Sequence, residues 1–519
     1  MRVPRFLATA ALFAYIAAVA LASSVLTGLD HDEHQFMASA YLAAEHNLHP
    51  YQDFPYFHMP NLVYIHAAFF RFSDYPFLCA RLFSAFCAIG IALTIFLISR
   101  SLFKDDQDAG LIVAASASVL LTNSPLFASA AAQAWNHTSS TFCALLAFVF
   151  HGAALRRAVS WKFFLLSGFF LGMAIGIRLS FAPLIVPFLA VVFLSSARRS
   201  RTLWPALAAF AIGGLAANLP ALYFLAAAPD KFFFGNFGYA ALNTLYRQEM
   251  NYGKAMTLGA KLEFFFRVVF LQPENLLIAA VVVGSLLGAL AVKIRRAVGP
   301  RSELVFLLLL LPFLYIGAFA PTPVWYQYFF APTAFLVLVA PYGLALVSDA
   351  RKRRWSAWAL LIAAFLSLAS GVSAKTPASV PSLFRPASWF PVRLHKVSEE
   401  IAGRLTASRG AGMKILTLSP LYAVEKKLPV YPEFATGQFA WRVSHLLSPD
   451  ERERQSLVGP ADVDNFVKKE PPSAILTTSE ARSLREPLTQ MAQRLGYLEI
   501  KLSDGSVLWI APERRYGRS

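Results

Sequence analysis

The sequence predicts an all-α polytopic membrane domain followed by a soluble α/β domain, and three observations carry that fold class. Hydrophobic residues make up 57% of the 519 positions against 15% charged, with a mean hydropathy of +0.51. About eleven apolar runs approach or reach membrane-spanning length. Composition then changes near Lys375, after which short apolar runs alternate with polar helical segments. The net charge of +17 does not indicate a nucleic-acid partner, because the basic residues sit in short clusters between apolar runs rather than along one face. Cys79, Cys87 and Cys143 lie in apolar stretches without metal-ligand spacing, so neither a disulfide framework nor a zinc site is expected.

The spans centre near Ala14, Ile91, Ser116, Leu146, Phe170, Val186, Ala211, Val281, Leu310, Val337 and Ala363. The first run, from Phe6, follows Arg2 and Arg5 and reads as an uncleaved span rather than a signal peptide, being long for a signal core. Counting from a cytoplasmic N-terminus, the connections expected inside carry Arg100 and Lys104, then Arg156, Arg157 and Lys162, then Arg198, Arg199 and Arg201. Lys293, Arg295, Arg296 and Arg301 follow, then Arg351, Lys352, Arg353 and Arg354, so every inside connection is basic. Two long connections, residues 25–78 and 227–263, fall outside. Long loops in a compact protein are usually functional, which makes these the candidate catalytic surfaces. The expected domains are a membrane domain over 1–374 and an extracytoplasmic α/β domain over 375–519, with strands near 414–418, 474–477 and 506–510.

The most informative stretch is 29–60, dense in acids and histidines. Asp30, Asp32 and Glu33 directly follow a membrane helix, where ionisable groups are costly unless they face water or a polar cavity. They read either as a functional acidic cluster or as a solvated loop in which Asp32 and Glu33 cap a helix over 35–45. His31, His34, His46, His49 and His58 show no i, i+4 pair with an intervening glutamate. Metal binding and an interfacial polar role both stay open for them, and no metal ligand is assigned.

The order of features here resembles the C-type (GT-C) glycosyltransferases related to protein O-mannosyltransferases and lipid A aminoarabinose transferases. In that family a first helix is followed by an Asp-Glu pair, a short helix, a Pro-Tyr-x-Asp-like element and a His-x-Pro element. The counterparts are Asp32-Glu33, the segment to Ala44, Pro50-Tyr51-Gln52-Asp53 and His58-Met59-Pro60. Asn47 and Leu48 stand where the family has a glycine before Pro-Tyr. The run Ala80-Arg81-Leu82-Phe83-Ser84 is also similar, as is the Tyr326-Gln327-Tyr328 to Pro332 element that opens a late helix. One departure matters. Many members carry a second acid in the second outer loop, where this chain has Gln133-Ala134-Trp135-Asn136-His137.

The resemblance implies transfer of a sugar from a polyprenyl-phosphate donor to a glycan, lipid or protein acceptor at the outer face of a bacterial inner membrane. A phosphate-linked sugar has a good leaving group, so one carboxylate suffices to take the acceptor's proton. The resemblance assigns that role to Asp32, with Glu33 beside it and Asp30 able to raise its pKa by like-charge repulsion. Asp53 and His58 are carried over as substrate-binding residues, together with Tyr326 and Tyr328, and Asn136 or His137 takes the place of the missing acid. Cations at the outer helix ends are candidate phosphate clamps: Arg178 first, then Arg247 and Lys254, with Arg81, Arg267 and Lys261 also in reach. The aromatic segment 231–266 suits an interfacial amphipathic helix along which a prenyl chain runs. No cofactor is required by this chemistry, and a divalent metal remains an open addition. The C-terminal segment contains no nucleophile or phosphate-loop motif, and Gly437 reads only as a turn. A transporter of lipid-linked sugars and an inactive scaffold are the competing classes. Neither repeats nor broken midplane helices support the first, and the missing second acid is the argument for the other.

Overall fold

The computed structural model describes residues 2–156, 160–196, 200–251, 256–291, 298–369, 379–406 and 414–512. All eleven expected centres fall in helices: Arg2–Leu26, Pro76–Ser101, Gln107–Asn123, His137–Arg156, Trp161–Ile177, Ile185–Ser196, Ser200–Ala217, Pro273–Ala291, Val298–Phe319, Phe330–Ala345 and Ala350–Leu368. By length and composition, six helices among the described residues are able to cross a membrane, or up to eight when two bent pairs count as single spans. The bends have local causes. Gln107–Asn123 turns by 68° into Pro125–Ala131 at Ser124, whose extended backbone caps the second helix and precedes a proline at its first position. Leu203–Ala217 turns by 67° into Leu219–Ala227 at Asn218, just before Pro220. Trp161–Ile177 and Leu179–Leu194 are apolar but shorter, while Ala350–Leu368 opens on Arg351, Lys352, Arg353 and Arg354. The architecture is a polytopic helical membrane fold with a small C-terminal sheet, as the sequence predicts.

Contacts divide the chain into two units. The first comprises Met1–Thr27, Arg81–Pro220 and Gly253–Arg385. Its helices approach backbone to backbone where glycines permit: a Cβ on Gly168 would lie 1.9 Å from the Phe210 carbonyl oxygen, and one on Gly213 would lie 2.0 Å from that of Leu165. In lipid, where apolar burial between helices drives nothing, such close packing supplies the cohesion.

The second unit comprises Gly28–Ala80, Ala221–Tyr252 and Pro386–Ser519. The sequence reading grouped both long loops with the membrane domain, whereas the contacts group most of their residues with the C-terminal segment. Its sheet has strands β1 (Ile415–Thr417), β2 (Ala474–Thr477), β3 (Leu498–Lys501) and β4 (Val507–Ile510), in the order β1-β2-β4-β3. β1 and β2 pair in parallel and the other pairs are antiparallel, so the chain between β1 and β2 must cross over, and it does so through helices. Leu416, Ile475, Leu488, Trp441 and Trp509 form the core beside the sheet.

The first loop is fastened to the C-terminal segment by polar ties. Buried Glu425 accepts from Phe77 N at 3.1 Å and pairs with His395 at 2.9 Å, and the His395 ring stacks on Tyr75 at 3.9 Å. Burial pushes the Glu425 carboxyl up, against the opposing pull of His395 and the Phe77 N–H. Tyr41 donates to the Lys427 carbonyl at 3.0 Å, and Lys427 pairs with Glu45 at 2.8 Å.

Candidate active site

In the second unit the acidic cluster opens the helix His31–Glu45. Asp30 is its N-cap, with extended backbone (φ −101°, ψ 145°), and accepts from Asp32 N at 2.9 Å. Fully buried Glu33 closes a capping box by accepting from Asp30 N at 3.0 Å. The sequence reading offered capping to Asp32 and Glu33; in the structure Asp30 and Glu33 share it. The Asp32 side chain is 28% exposed, 3.5 Å from His31 Nε2, and its charge acts on the Tyr239 hydroxyl. Asp30, His31 and Asp32 each offer a ligand atom within 4.8 Å of the others, and are the side chains among the described residues grouped closely enough to hold a divalent cation.

Further along the loop, Asp53 accepts from His49 N at 2.7 Å, closing the turn in which Tyr51 adopts a positive φ of 66°. His58 stacks on Phe36 at 5.0 Å, and its Nε2 lies 3.1 Å from the Gln35 amide nitrogen. Asp53 thus holds its own turn, and His58 packs on the helix that Asp32 opens. His34 and His66 are buried, and burial pushes each pKa down to about 3, with the charge of His31 adding to the effect on His34. Unfolded histidine titrates near pH ~6.5. The neutral, buried state therefore contributes stability that is fully present above that value and is lost progressively as pH falls toward 3. Thermal melts are expected to show a lower midpoint at pH 5 than at pH 7.5, with a smaller difference for His34→Phe; an equal difference in that variant would contradict the assignment.

The second long loop supplies Pro229–Phe233, a π-helical turn Phe234–Gly238 and the helix Tyr239–Glu249. Tyr239 stacks face to face on Phe57 at 3.9 Å. Its hydroxyl accepts from Arg442 Nη2 at 3.0 Å, and Asn243 Oδ1 accepts from the same nitrogen at 2.7 Å. Burial raises the Tyr239 pKa; Arg442 and Arg247 oppose the rise and Asp32 reinforces it. Arg442 was not visible as a site residue in the sequence. Lys254 lies outside the described residues.

Gly437 is more than an ordinary turn. It opens the helix Gln438–Val443, which carries Arg442, at φ 58° and ψ −131°. A Cβ there would lie 2.6 Å from the Leu418 carbonyl oxygen and 3.5 Å from His34 Cβ. Gly437→Ala is expected to destabilise the unit by about 1–3 kcal/mol, read as a lowered thermal midpoint; an unchanged midpoint would remove this constraint.

The first unit holds a separate polar cluster. Arg178 donates through Nη1 to Asn136 Oδ1 at 3.3 Å and to the His137 ring, whose Nε2 is at 2.9 Å, and through Nε to Ser180 Oγ at 2.8 Å. Its guanidinium lies over the Tyr328 ring at 4.5 Å, and His137 stacks on the same ring at 5.7 Å. Four sequence-derived residues, Asn136, His137, Arg178 and Tyr328, are thus brought together. Tyr326 begins the same short helical turn, Tyr326–Phe329, and packs on the apolar core. Arg81 is differently employed. Fully buried, it donates to the carbonyls of Ser24 (2.8 Å) and Thr27 (2.9 Å) at the end of the first helix and to Gln133 Oε1 at 2.8 Å, a C-capping role. Lys261 likewise donates to the Phe319 carbonyl at 2.8 Å, and exposed Arg267 pairs with Glu263 at 3.2 Å. An apolar groove of about 340 Å³ is lined by Leu262, Phe265, Phe266, Val269, Tyr315 and Phe319, among others.

Residues 57–224 match the dolichyl-phosphate-mannose-protein mannosyltransferase family. Crystal structures of ArnT from Cupriavidus metallidurans, bound to undecaprenyl phosphate and in the apo state, align with a TM-score of 0.58 at 14% identity, covering 98% of this chain and 99% of that one. The Archaeoglobus fulgidus oligosaccharyltransferase in its apo form gives a TM-score of 0.48 at 12% identity over 90% of this chain and 69% of its own. Comparison with curated proteins finds no match. The fold is that of the C-type glycosyltransferases.

Proposed function

We propose that this chain, built on the C-type glycosyltransferase fold, is an integral-membrane transferase that moves a sugar from a polyprenyl-phosphate donor to an envelope lipid, glycan or protein acceptor by a single inverting displacement. The observation that carries the reading is the division of labour at the start of the His31–Glu45 helix. Asp30 and Glu33 are spent on capping, and the half-buried Asp32 carboxylate is presented beside His31 within electrostatic reach of Tyr239. In the reaction Asp32 accepts the proton of the acceptor hydroxyl, whose oxygen bonds to the anomeric carbon as the bond to the phosphate oxygen breaks. The departing phosphate keeps the electron pair and needs no acid. Arg178 is the proposed clamp for the phosphate, since a guanidinium stabilises charge that grows on departure. The apolar groove along 262–270 is of a size and character to take prenyl units, and a protein of the same fold bound to undecaprenyl phosphate supports a lipid-phosphate donor.

The basic connections support a cytoplasmic N-terminus and an extracytoplasmic C-terminal segment in a bacterial inner membrane. The test is consumption of a polyprenyl-phosphate-linked sugar by the purified chain, with mass spectrometry of envelope lipids and glycans from cells with and without it. A sugar lost from the envelope in its absence identifies donor and acceptor together. Binding of the lipid-linked sugar without turnover, and an unaltered envelope, would overturn the reading.

A further inference from the structure

Arg442 is a cation in the wrong company. It is 6% exposed, and its hydrogen-bond partners are neutral oxygens, Tyr239 Oη at 3.0 Å and Asn243 Oδ1 at 2.7 Å, both reached by Nη2. Its Nε is buried without a hydrogen-bond acceptor. Among the described residues no carboxylate lies within 4.0 Å of the guanidinium. Instead it lies over two rings, Phe439 at 4.5 Å and Tyr246 at 5.5 Å. Burying a charge is costly unless a counter-charge meets it, and two aromatic faces and two neutral acceptors supply only part of that compensation.

The surroundings are those of the acidic cluster. Phe439, under the guanidinium, also packs on the His31 ring at 5.3 Å. Tyr239, its hydrogen-bond partner, lies within electrostatic reach of Asp32 and Arg247. Because the Tyr239 oxygen accepts from Arg442, its own proton remains to be donated. The hydroxyl keeps that proton, since burial raises its pKa. A fork of guanidinium donors and a neutral O–H are the groups that recognise a tetrahedral oxyanion.

The geometry points to Arg442 and Tyr239 as a phosphate-binding pair, through which the C-terminal segment contributes a substrate-binding residue beside Asp32. The proposal rests on the transferase reading only for which phosphate arrives, that of the lipid-linked donor or one carried by the acceptor. The buried cation without a carboxylate partner is independent of it. Positioning is also built in: Gly437 sets the start of the Arg442 helix against Leu418 and His34, so the guanidinium is aimed by the same helix that bears the acids.

The experiment measures binding by the full-length chain in detergent micelles of two probes, undecaprenyl phosphate and diphosphorylated lipid A, with undecaprenol as the phosphate-free control. Arg442→Gln is expected to weaken binding of one phosphate probe by about tenfold or more, with Arg442→Lys intermediate because it keeps charge and loses the fork. Undecaprenol should bind as before. A loss confined to undecaprenyl phosphate supports the pair with the donor as its ligand. A loss confined to lipid A supports it with an acceptor phosphate. Unchanged affinity for both probes in folded Arg442→Gln overturns the proposal. Should that variant not fold, Tyr239→Phe carries the test, and unchanged affinity for both probes then overturns it equally. The two readings are separable. If Asp32→Asn transfers sugar at the wild-type rate while Arg442 variants lose phosphate binding, the assignment of Asp32 falls and the phosphate pair stands.

Discussion

Asp32→Asn is expected to lower turnover by about 10²–10⁴-fold, the range typical for removal of a positioned general base. The substitution is nearly isosteric, and at the second helical position it forfeits a carboxylate's favourable placement near the helix N-terminus, about 0.3–1 kcal/mol. The Asp30 cap and the Glu33 box do not use the Asp32 side chain, only its backbone N–H. The expected signature is therefore a large fall in kcat with little change in the KM for the lipid-linked donor or in the thermal midpoint. Glu33→Gln separates the neighbouring roles. It weakens the capping box of a buried helix end, so its main effect is a lower midpoint, with a smaller loss of turnover than at Asp32. Full turnover by folded Asp32→Asn would remove it from the mechanism.

Arg178→Ala is expected to lower kcat by about 10²–10³-fold, the scale seen when one preorganised donor to developing charge is deleted. The deletion leaves Asn136 Oδ1, the His137 ring and Ser180 Oγ without the donor they share, so some loss of stability accompanies it. Arg178→Lys distinguishes charge from scaffold. A lysine retains attraction to a phosphate but lacks the planar fork that spans three acceptors and stacks on Tyr328, so partial activity with a raised donor KM is expected. Wild-type kinetics in either folded variant would end the assignment, and steady-state assays over a range of donor concentrations decide it.

The two assignments differ in how far they were legible in the sequence. Helices were legible because apolar runs of spanning length have no other use, and all eleven expected centres lie in helices. β1, β2 and β4 were foreshadowed by apolar runs, whereas β3, an edge strand reading Leu-Glu-Ile-Lys with three exposed positions, has too little apolar signal to stand out. The breaks at Ser124 and Asn218 follow from the prolines beside them, yet a hydropathy window averages across such points and reports one span. Arg178 was conspicuous as a cation where charge bias calls for none. Arg442 had no such contrast, because the C-terminal segment is rich in arginine and its partner Tyr239 lies 203 positions away. Glu33 illustrates a subtler loss. Adjacent acids are equivalent on paper, and only the N-cap geometry decides which one turns back to the backbone and which one faces Tyr239.

The second unit is assembled from three separated stretches of chain, Gly28–Ala80, Ala221–Tyr252 and Pro386–Ser519, and this imposes an order on biosynthesis. The acidic stretch leaves the ribosome first, yet the Glu425, His395 and Lys427 that fasten it are made last. At about 5–20 residues per second, the roughly three hundred intervening residues keep it waiting on the order of 15–60 s. During that interval Tyr41, buried in the finished molecule and bonded there to the Lys427 carbonyl, lacks that partner. Newly made chains stalled or truncated before Pro386 would therefore expose a sticky, histidine-rich loop to quality-control proteases, and the C-terminal segment synthesised alone would lack the surface against which much of it is built.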